Sequence, residues 1–126
     1  MGKLRVLFQG DSITDMGRDR GDIRNMGSGY PLFVASNFRA ARPNFDIDFF
    51  DLGISGDRVR DLRARWQSDC LDLRPDVLSV LIGINDTWRR YDSGDPSDTE
   101  EFERVYRSLL EDARRENPSL KIIIME

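Results

Sequence analysis

The sequence contains no histidine, one cysteine and only two lysines among its 126 residues. Without histidine, the chain itself offers no imidazole that could serve as a general base, a metal ligand or a pH-sensitive switch. A single cysteine excludes an internal disulfide framework and a cysteine-rich zinc site. The sequence also has no phosphate-binding loop and no metal-ligand motif. We therefore expect neither a cofactor nor a bound metal.

The charge pattern disfavours nucleic-acid partners, and the short apolar runs disfavour a membrane. The chain carries 19 basic and 23 acidic residues, for a net charge of −4, and its arginines are interleaved with aspartates. An acidic chain without a basic stripe is a poor candidate for binding nucleic acid. The apolar run at the N-terminus is too short for a signal peptide, and no segment approaches the ~20 apolar residues of a membrane helix. We expect a cytoplasmic protein.

Short apolar runs predict four β-strands, at Leu4–Phe8, Phe45–Phe50, Val77–Ile82 and Ile122–Met125. In the second run apolar and acidic residues alternate, which is typical of a half-exposed strand. The last two runs are almost continuously apolar, as in strands of a parallel sheet that are covered on both faces.

Helical patterns separate these strands. The first begins at Pro31 and ends near Pro43. The third opens with Ser97 and Glu100, which form a capping-box pair. Between them a single apolar stripe at helical spacing is formed by Val59, Leu62, Trp66, Cys70 and Leu73. Alternating strands and helices predict a three-layer α/β/α sandwich with a flavodoxin-like parallel sheet.

Glycines and small polar residues follow the first three predicted strands, in the segments Gly10–Ile13, Gly53–Asp57 and Gly83–Asp86. Ligands of a doubly wound sheet bind beyond the carboxyl ends of its strands, so we expect these segments to lie close together. They would bring a serine, a free backbone N–H and a carboxamide to one edge. Acyl transfer requires these groups, as a nucleophile and as preorganised donors to an oxyanion.

These three segments resemble blocks one, two and three of the SGNH (GDSL-type) hydrolases. Each motif alone is weak, but three in the right order, each after a predicted strand, are specific. The resemblance covers essentially the whole chain and is strongest to the bacterial acetylxylan-esterase-like branch. It implies a serine ester hydrolase without a cofactor that acts on small acyl esters, such as acetylated carbohydrate. Further similar segments are Gly27–Tyr30, Val59–Leu62, Ala64–Trp66, Trp88–Arg89 and Tyr91–Asp92.

The resemblance also implies roles for individual residues. Ser12 would be the catalytic nucleophile. The backbone N–H groups of Ser12 and Gly56 and the side chain of Asn85 would form the oxyanion hole. Trp88 and Tyr91 would lie near the rim of the pocket, where they would stack on a sugar ring or pack in a loop or a subunit interface.

Simpler structural roles remain open for several of these residues. Ser12 with Asp15 also fits a helix N-cap box, and Asn85 fits a turn or cap. Asp15, Asp57 and Asp86 are conceivable substitute bases, but a carboxylate accepts a proton from serine poorly unless its pKa rises toward ~6–7. We expect surface or turn roles for these three aspartates, and a packing role for Cys70.

The sequence departs from the family pattern at two points. Asp51 stands where block two usually opens with asparagine, which we interpret as a structural exchange. The fourth block, an Asp-x-x-His motif that supplies the general base, has no counterpart before Glu126. We therefore expect residues 1–126 to form a single domain that lacks the family's last strand and C-terminal helix. A missing segment, a second polypeptide or a homo-oligomer would then complete it, and the fourth strand would otherwise be an open apolar edge.

Two other functional classes remain. One is a histidine-free protein that binds acylated sugars without cleaving them. The other is a receiver-like or flavin-binding signalling module on the same architecture. The second is disfavoured, because the first strand ends in Gly-Asp-Ser and the only late lysine, Lys121, starts a strand.

Overall fold

A parallel four-stranded sheet forms the centre of the molecule in the computed structural model, which describes residues 2–95 and 98–126. The strands are Leu4–Gly10 (β1), Ile47–Asp51 (β2), Val77–Leu81 (β3) and Lys121–Ile124 (β4). Their order is β2-β1-β3-β4, and every neighbouring pair is parallel. This is the strand order of a flavodoxin-like sheet. The α/β fold class predicted from the sequence is thus confirmed.

Helices cover both faces of the sheet. They are Ser12–Asp15 (α1), Tyr30–Ala41 (α2), Val59–Ala64 (α3), Trp66–Asp69 (α4), Ile84–Asp92 (α5) and Thr99–Glu116 (α6). On one face, Val6 and Phe8 of β1 belong to the same apolar cluster as Ala35 of α2. On the other face, Leu7 shares a cluster with Trp66 and Leu109. No helix among the described residues is long and apolar enough to cross a bilayer.

The apolar stripe that begins at Val59 does not form one continuous helix. It divides into α3, α4 and a 3₁₀ turn at Leu71–Leu73, and the chain bends at Arg65. The guanidinium of Arg65 binds Asp57 and the Gly10 carbonyl, which fixes this bend. The side chains of the stripe still face the core, as their spacing predicted. In particular, Cys70 is fully buried, and burial raises the pKa of its thiol to about 12.

Helix α5 is absent from the sequence prediction. It begins after Gly83, whose φ of 135° is accessible to glycine but strained for other residues. The start of α6 also differs in its cap. The carboxylate of Asp98 accepts a hydrogen bond from the Glu101 N–H, whereas the predicted capping residue Ser97 lies outside the described residues.

Burial of two strands differs from the prediction. Phe45 precedes β2 and is 51% exposed, although we expected it on the buried face of that strand. In β4, Ile123 and Ile124 are 51% and 56% exposed, so coverage on both faces holds for β3 but not for β4. The physical reason is that β4 lies at the edge of the sheet, where α6 covers only part of one face. An exposed apolar edge results.

Candidate active site

The site lies at the topological switch point of the sheet. After β1 the chain passes to the face covered by α2, whereas after β3 it passes to the face covered by α6. Because neighbouring strands β1 and β3 send their connections to opposite faces, a crevice opens at their carboxyl ends. Ser12 and Asn85 begin the connections on its two sides.

Ser12 is the first residue of α1, but it does not cap this helix. The preceding residue, Asp11, is fully buried, and its Oδ1 accepts a hydrogen bond from the Ile13 N–H at 3.0 Å. The N-cap alternative for Ser12 is therefore wrong. Within the described part of the chain, the half-buried Ser12 hydroxyl and the Ser12 N–H have no hydrogen-bond partner.

Direct hydrogen bonds join block two to the end of β1 and to α1. The Ser55 N–H donates to Asp15 Oδ2 at 3.0 Å, and the Ile54 N–H donates to the Gly10 carbonyl at 3.1 Å. Gly53 permits this close approach, since a Cβ on it would lie 2.6 Å from the Asp15 nitrogen. The turn at Ser55 and Gly56 is consequently held beside the start of α1.

Two buried side chains form hydrogen bonds with the backbone N–H and the backbone carbonyl of Gly53. Asp51 Oδ1 accepts the Gly53 N–H at 3.0 Å, and Arg18 Nε donates to the Gly53 carbonyl at 2.8 Å. The two side chains are 3.9 Å apart at their nearest charged atoms. Burial raises the pKa of Asp51 to about 7, against the opposing effects of the Gly53 hydrogen bond and of Arg18. Asp51 therefore has a structural role, as the sequence suggested.

Block three is joined to block two on its other side. Asn85 Nδ2 donates to the Asp57 carbonyl at 3.0 Å, and Asp86 Oδ2 accepts the Val59 N–H at 3.0 Å. Asn85 is not the cap of α5, because Gly83 occupies that position. The three segments that follow β1, β2 and β3 thus form one hydrogen-bonded unit, and Asn85 keeps a second amide N–H for another acceptor.

Arg65 links blocks one and two and was not identified from the sequence as a site residue. Its Nε donates to Asp57 Oδ2 at 2.8 Å, and its Nη2 donates to the Gly10 carbonyl at 3.3 Å. Burial raises the pKa of Asp57, and the hydrogen bond from Arg65 opposes this effect. The only sequence signal for Arg65 was its place in the family-like segment Ala64–Trp66.

The three candidate carboxylate bases are all engaged in structural hydrogen bonds. Asp15 binds the Arg20 guanidinium at 2.6 Å, Asp57 binds Arg65, and Asp86 binds the start of α3. Asp15 and Asp86 are only 4% and 5% exposed, so of the predicted surface or turn roles the surface alternative is wrong for these two. Burial acts to raise the pKa of Asp15, but the Arg20 and Ser55 hydrogen bonds lower it overall. In the described ranges, no cluster of three or more acidic or cysteine ligands could hold a metal.

Exposed aromatic residues lie on α5, beyond Asn85. Trp88 is 59% exposed and Tyr91 is 79% exposed, and both belong to the helix, so packing in a loop, one of the alternatives left open, does not occur. Arg89 lies one helical turn after Asn85 on the same side of α5. It was not assigned a role from the sequence, because the helix that places it there was not predicted.

Comparison with known proteins gives the family. The model of the GDSL-like lipase/acylhydrolase family matches residues 8–126, and the chain therefore belongs to this family. An acetylxylan esterase from Geobacillus stearothermophilus is 40% identical over 129 residues, which cover 96% of this chain and 58% of the relative. The chain thus spans less than two thirds of this relative.

Solved structures agree with this assignment. A GDSL-like lipase from Parabacteroides merdae superposes with a TM-score of 0.92 at 41% identity, over 97% of this chain and 58% of that one. The acetylxylan esterase from Geobacillus stearothermophilus gives a TM-score of 0.89 at 40% identity, over 98% and 60%. Structures of that esterase include catalytic mutants in which a serine, an aspartate or a histidine is replaced by alanine.

Proposed function

We propose that this chain carries the nucleophile and the oxyanion hole of a serine ester hydrolase that acts on small acyl esters of carbohydrates. One observation carries the proposal: Ser12, the Gly56 turn and Asn85 follow three different strands, yet hydrogen bonds join their segments into one unit. The carbohydrate is inferred from the relatives named as acetylxylan esterases.

In the proposed reaction, the Ser12 hydroxyl oxygen attacks the ester carbonyl while its proton passes to a general base. The carbonyl oxygen becomes an oxyanion, which accepts hydrogen bonds from the N–H groups of Ser12 and Gly56 and from the Asn85 side chain. The base then gives the proton to the departing sugar oxygen. Water subsequently hydrolyses the acyl-serine, which releases the acid and restores the Ser12 hydroxyl.

The general base is the part of this mechanism that these 126 residues do not contain. The sequence has no histidine, and the neighbouring carboxylates Asp15, Asp57 and Asp86 are held by other groups. We propose that a histidine and its orienting aspartate come from polypeptide outside these residues. The catalytic mutants of the solved relative, which include one at an aspartate and one at a histidine, support this source.

A serine-directed fluorophosphonate tests the role of Ser12. The full-length polypeptide that contains this chain is treated with the reagent, and the adduct is located by mass spectrometry alongside the hydrolysis of 4-nitrophenyl acetate. We expect labelling at Ser12, and a loss of hydrolysis and of labelling in Ser12→Ala by a factor of about 10³ or more. The control is Ser28→Ala, since Ser28 lines the same groove but its hydroxyl donates to the Met16 carbonyl. An adduct at another serine, or full activity of Ser12→Ala, would contradict the proposal.

The missing histidine also favours a second candidate, a protein that binds acylated sugars without cleaving them. This candidate predicts saturable binding of an acetylated xylooligosaccharide with no release of acetate by the full-length protein. Measured acetate release that depends on Ser12 would exclude it.

A further inference from the structure

A polar groove adjoins the Gly56 turn next to the proposed catalytic serine. It has a volume of about 450 Å³, within the range of small-molecule sites. We call it the Arg89 groove and define it by Ser55, Gly56, Asp57, Arg58, Arg89 and Asp95. Ser55 also lines the groove that contains Ser12, so the two grooves are neighbours. Among the residues that the structure describes, no aliphatic or aromatic side chain lines the Arg89 groove, which makes it a poor site for an alkyl chain.

Arg89 lies beside the Gly56 turn. A Cβ on Gly56 would lie 3.7 Å from Arg89 Nη2, so the guanidinium is in contact distance of this turn. Asn85, one helical turn earlier, donates to the Asp57 carbonyl on the same turn. The Arg89 side chain is 37% exposed, and its Nη1 reaches Asp92 at only 3.4 Å. In the described part of the chain, Nη2 has no hydrogen-bond partner.

The charged residues of the groove indicate the chemistry of its ligand. Arg58 binds Asp95 at 2.7 Å and Asp61 at 3.3 Å, so its charge is already neutralised. The second cation, Arg89, lies 3.4 Å from Asp92. Among the described residues, the lining as a whole carries the carboxylates of Asp57, Asp61 and Asp95 against only two guanidinium groups. An anionic ligand would gain little in this setting and would meet these carboxylates. A neutral ligand with many hydroxyl groups would find both donors and acceptors at short range.

We propose that the Arg89 groove binds the sugar part of the ester and that Arg89 is a specificity-determining residue, donating hydrogen bonds from Nη2 to sugar hydroxyls. The assignment rests on the proposed function for its substrate class. Its own support is the polar lining, the charge of that lining and the position of Arg89 beside Gly56. Arg89 contributes to sugar binding and leaves the attack of Ser12 on the carbonyl unchanged.

Assays on two substrates distinguish a role of Arg89 in sugar binding from a general role in catalysis or in the fold. The full-length protein and its Arg89→Met, Arg89→Lys and Arg90→Met variants are assayed on acetylated xylobiose and on 4-nitrophenyl acetate, which has no sugar. For Arg89→Met we expect kcat/KM on the sugar ester to fall about tenfold, mainly through KM, as the loss of a charged hydrogen bond would cause. Activity on the aryl acetate should stay within about twofold of the original, with partial recovery in Arg89→Lys. Arg90→Met, on the neighbouring exposed position, should behave like the unaltered protein.

Equal losses on both substrates would overturn the proposal, because Arg89 would then support the oxyanion hole or the fold. An unchanged kcat/KM on the sugar ester would overturn it as well. A binding measurement tests the groove separately from the proposed ester hydrolysis. Calorimetry measures the binding of unmodified xylobiose to the Ser12→Ala protein. Sugar binding that disappears in Ser12→Ala/Arg89→Met supports the groove even where no ester is hydrolysed, whereas binding that persists in that double variant counts against it.

Discussion

Two regions of the molecule reverse the usual relation between polarity and burial. One is the cluster beneath the Gly56 turn, and the other is the outer edge of the sheet at β4. Asp11, Asp15, Arg18 and Asp51, beneath the turn, are all at most 6% exposed. At the other region, Ile124 of β4 is 56% exposed and lines an apolar groove beside α6. Charged side chains are therefore buried in one region, whereas apolar side chains are exposed in the other.

The difference shows that hydrogen bonding to the backbone, rather than polarity alone, decides which side chains are buried near the site. A buried charge is tolerated when it is hydrogen-bonded, and Asp11, Asp15, Arg18 and Asp51 each bind a backbone group of the segments that follow β1 and β2. Such contacts fix the direction of loop N–H groups before a substrate arrives, which is what an oxyanion hole requires. The β4 edge has no comparable constraint.

Gly53→Ala should have the largest effect, because it breaks the close packing within the buried cluster. The added Cβ would lie 2.6 Å from the Asp15 nitrogen and 2.7 Å from Thr14 Cβ. Backbone atoms cannot move aside as a flexible side chain can. We expect a loss of about 3 kcal/mol or more in the free energy of unfolding, measured by urea denaturation. Gly21→Ala is the control, since its nearest atom is an Asp19 carboxylate oxygen at 3.3 Å, and it should change stability little. Comparable losses in both variants would show that the close approach at Gly53 is not the cause.

Asp51→Asn should have an intermediate, pH-dependent effect. Because the folded-state pKa of Asp51 is raised to about 7 from 3.8, the folded protein binds an extra proton between these values. The stability associated with this proton is present below about pH 4 and is lost as the pH rises through about 7. Asparagine cannot ionise, so Asp51→Asn should stabilise the protein at pH 8 by roughly 1–3 kcal/mol relative to the original, and less at pH 5.

Urea denaturation at pH 5 and pH 8 measures this difference. The carboxamide oxygen of the introduced asparagine could still accept the Gly53 N–H, so the loop geometry is retained. The control is Asp46→Asn, which removes the same charge from an exposed position before β2. An advantage of Asp51→Asn that is the same at both pH values, or that is larger at pH 5, would contradict the assigned cause.

Ile124→Lys should have the smallest effect on stability. It tests whether the apolar edge at β4 is exposed in solution. An exposed side chain contributes little to folding, so we expect a change within about 0.5 kcal/mol in the 126-residue protein. Self-association, measured by analytical ultracentrifugation, should decrease because the substitution places a charge on an apolar edge. Ile122→Lys is the matched control on the same strand, since Ile122 packs against the core and its replacement should destabilise the fold. A loss above about 2 kcal/mol for Ile124→Lys would mean that this edge is covered in solution.

Part of the fold and of the site could be predicted because the signals were local. Apolar runs located all four strands to within two residues at each end, and the segments after three of them contained Ser12, Gly56 and Asn85. The roles of these residues in catalysis, the cytoplasmic location and the oligomeric state stay predictions. Helix α5 was not predicted because its first turn, Gly83–Asp86, has the composition of a loop. Arg89 was noted only as part of the family-like segment Trp88–Arg89, and it was given no role for the same reason.

Contacts between distant segments could not be predicted. Asp11 and Ser12 are both good N-cap residues, and only the backbone geometry at the end of β1 gives the cap to Asp11 and leaves the Ser12 hydroxyl uncommitted. Likewise, Arg65 is an ordinary helix residue in the sequence, and its link between Gly10 and Asp57 exists only after β1 and β2 have paired.

The sequence by itself determined the strand and helix alternation, the parallel sheet and the order of the three polar segments, because hydrophobic periodicity and glycine placement act over a few residues. Only the tertiary structure decided which carboxylates are buried, which amide groups face the crevice and which isoleucines stay exposed. Those outcomes depend on partners brought together from distant parts of the chain, and a buried charge is stable only where such a partner is found.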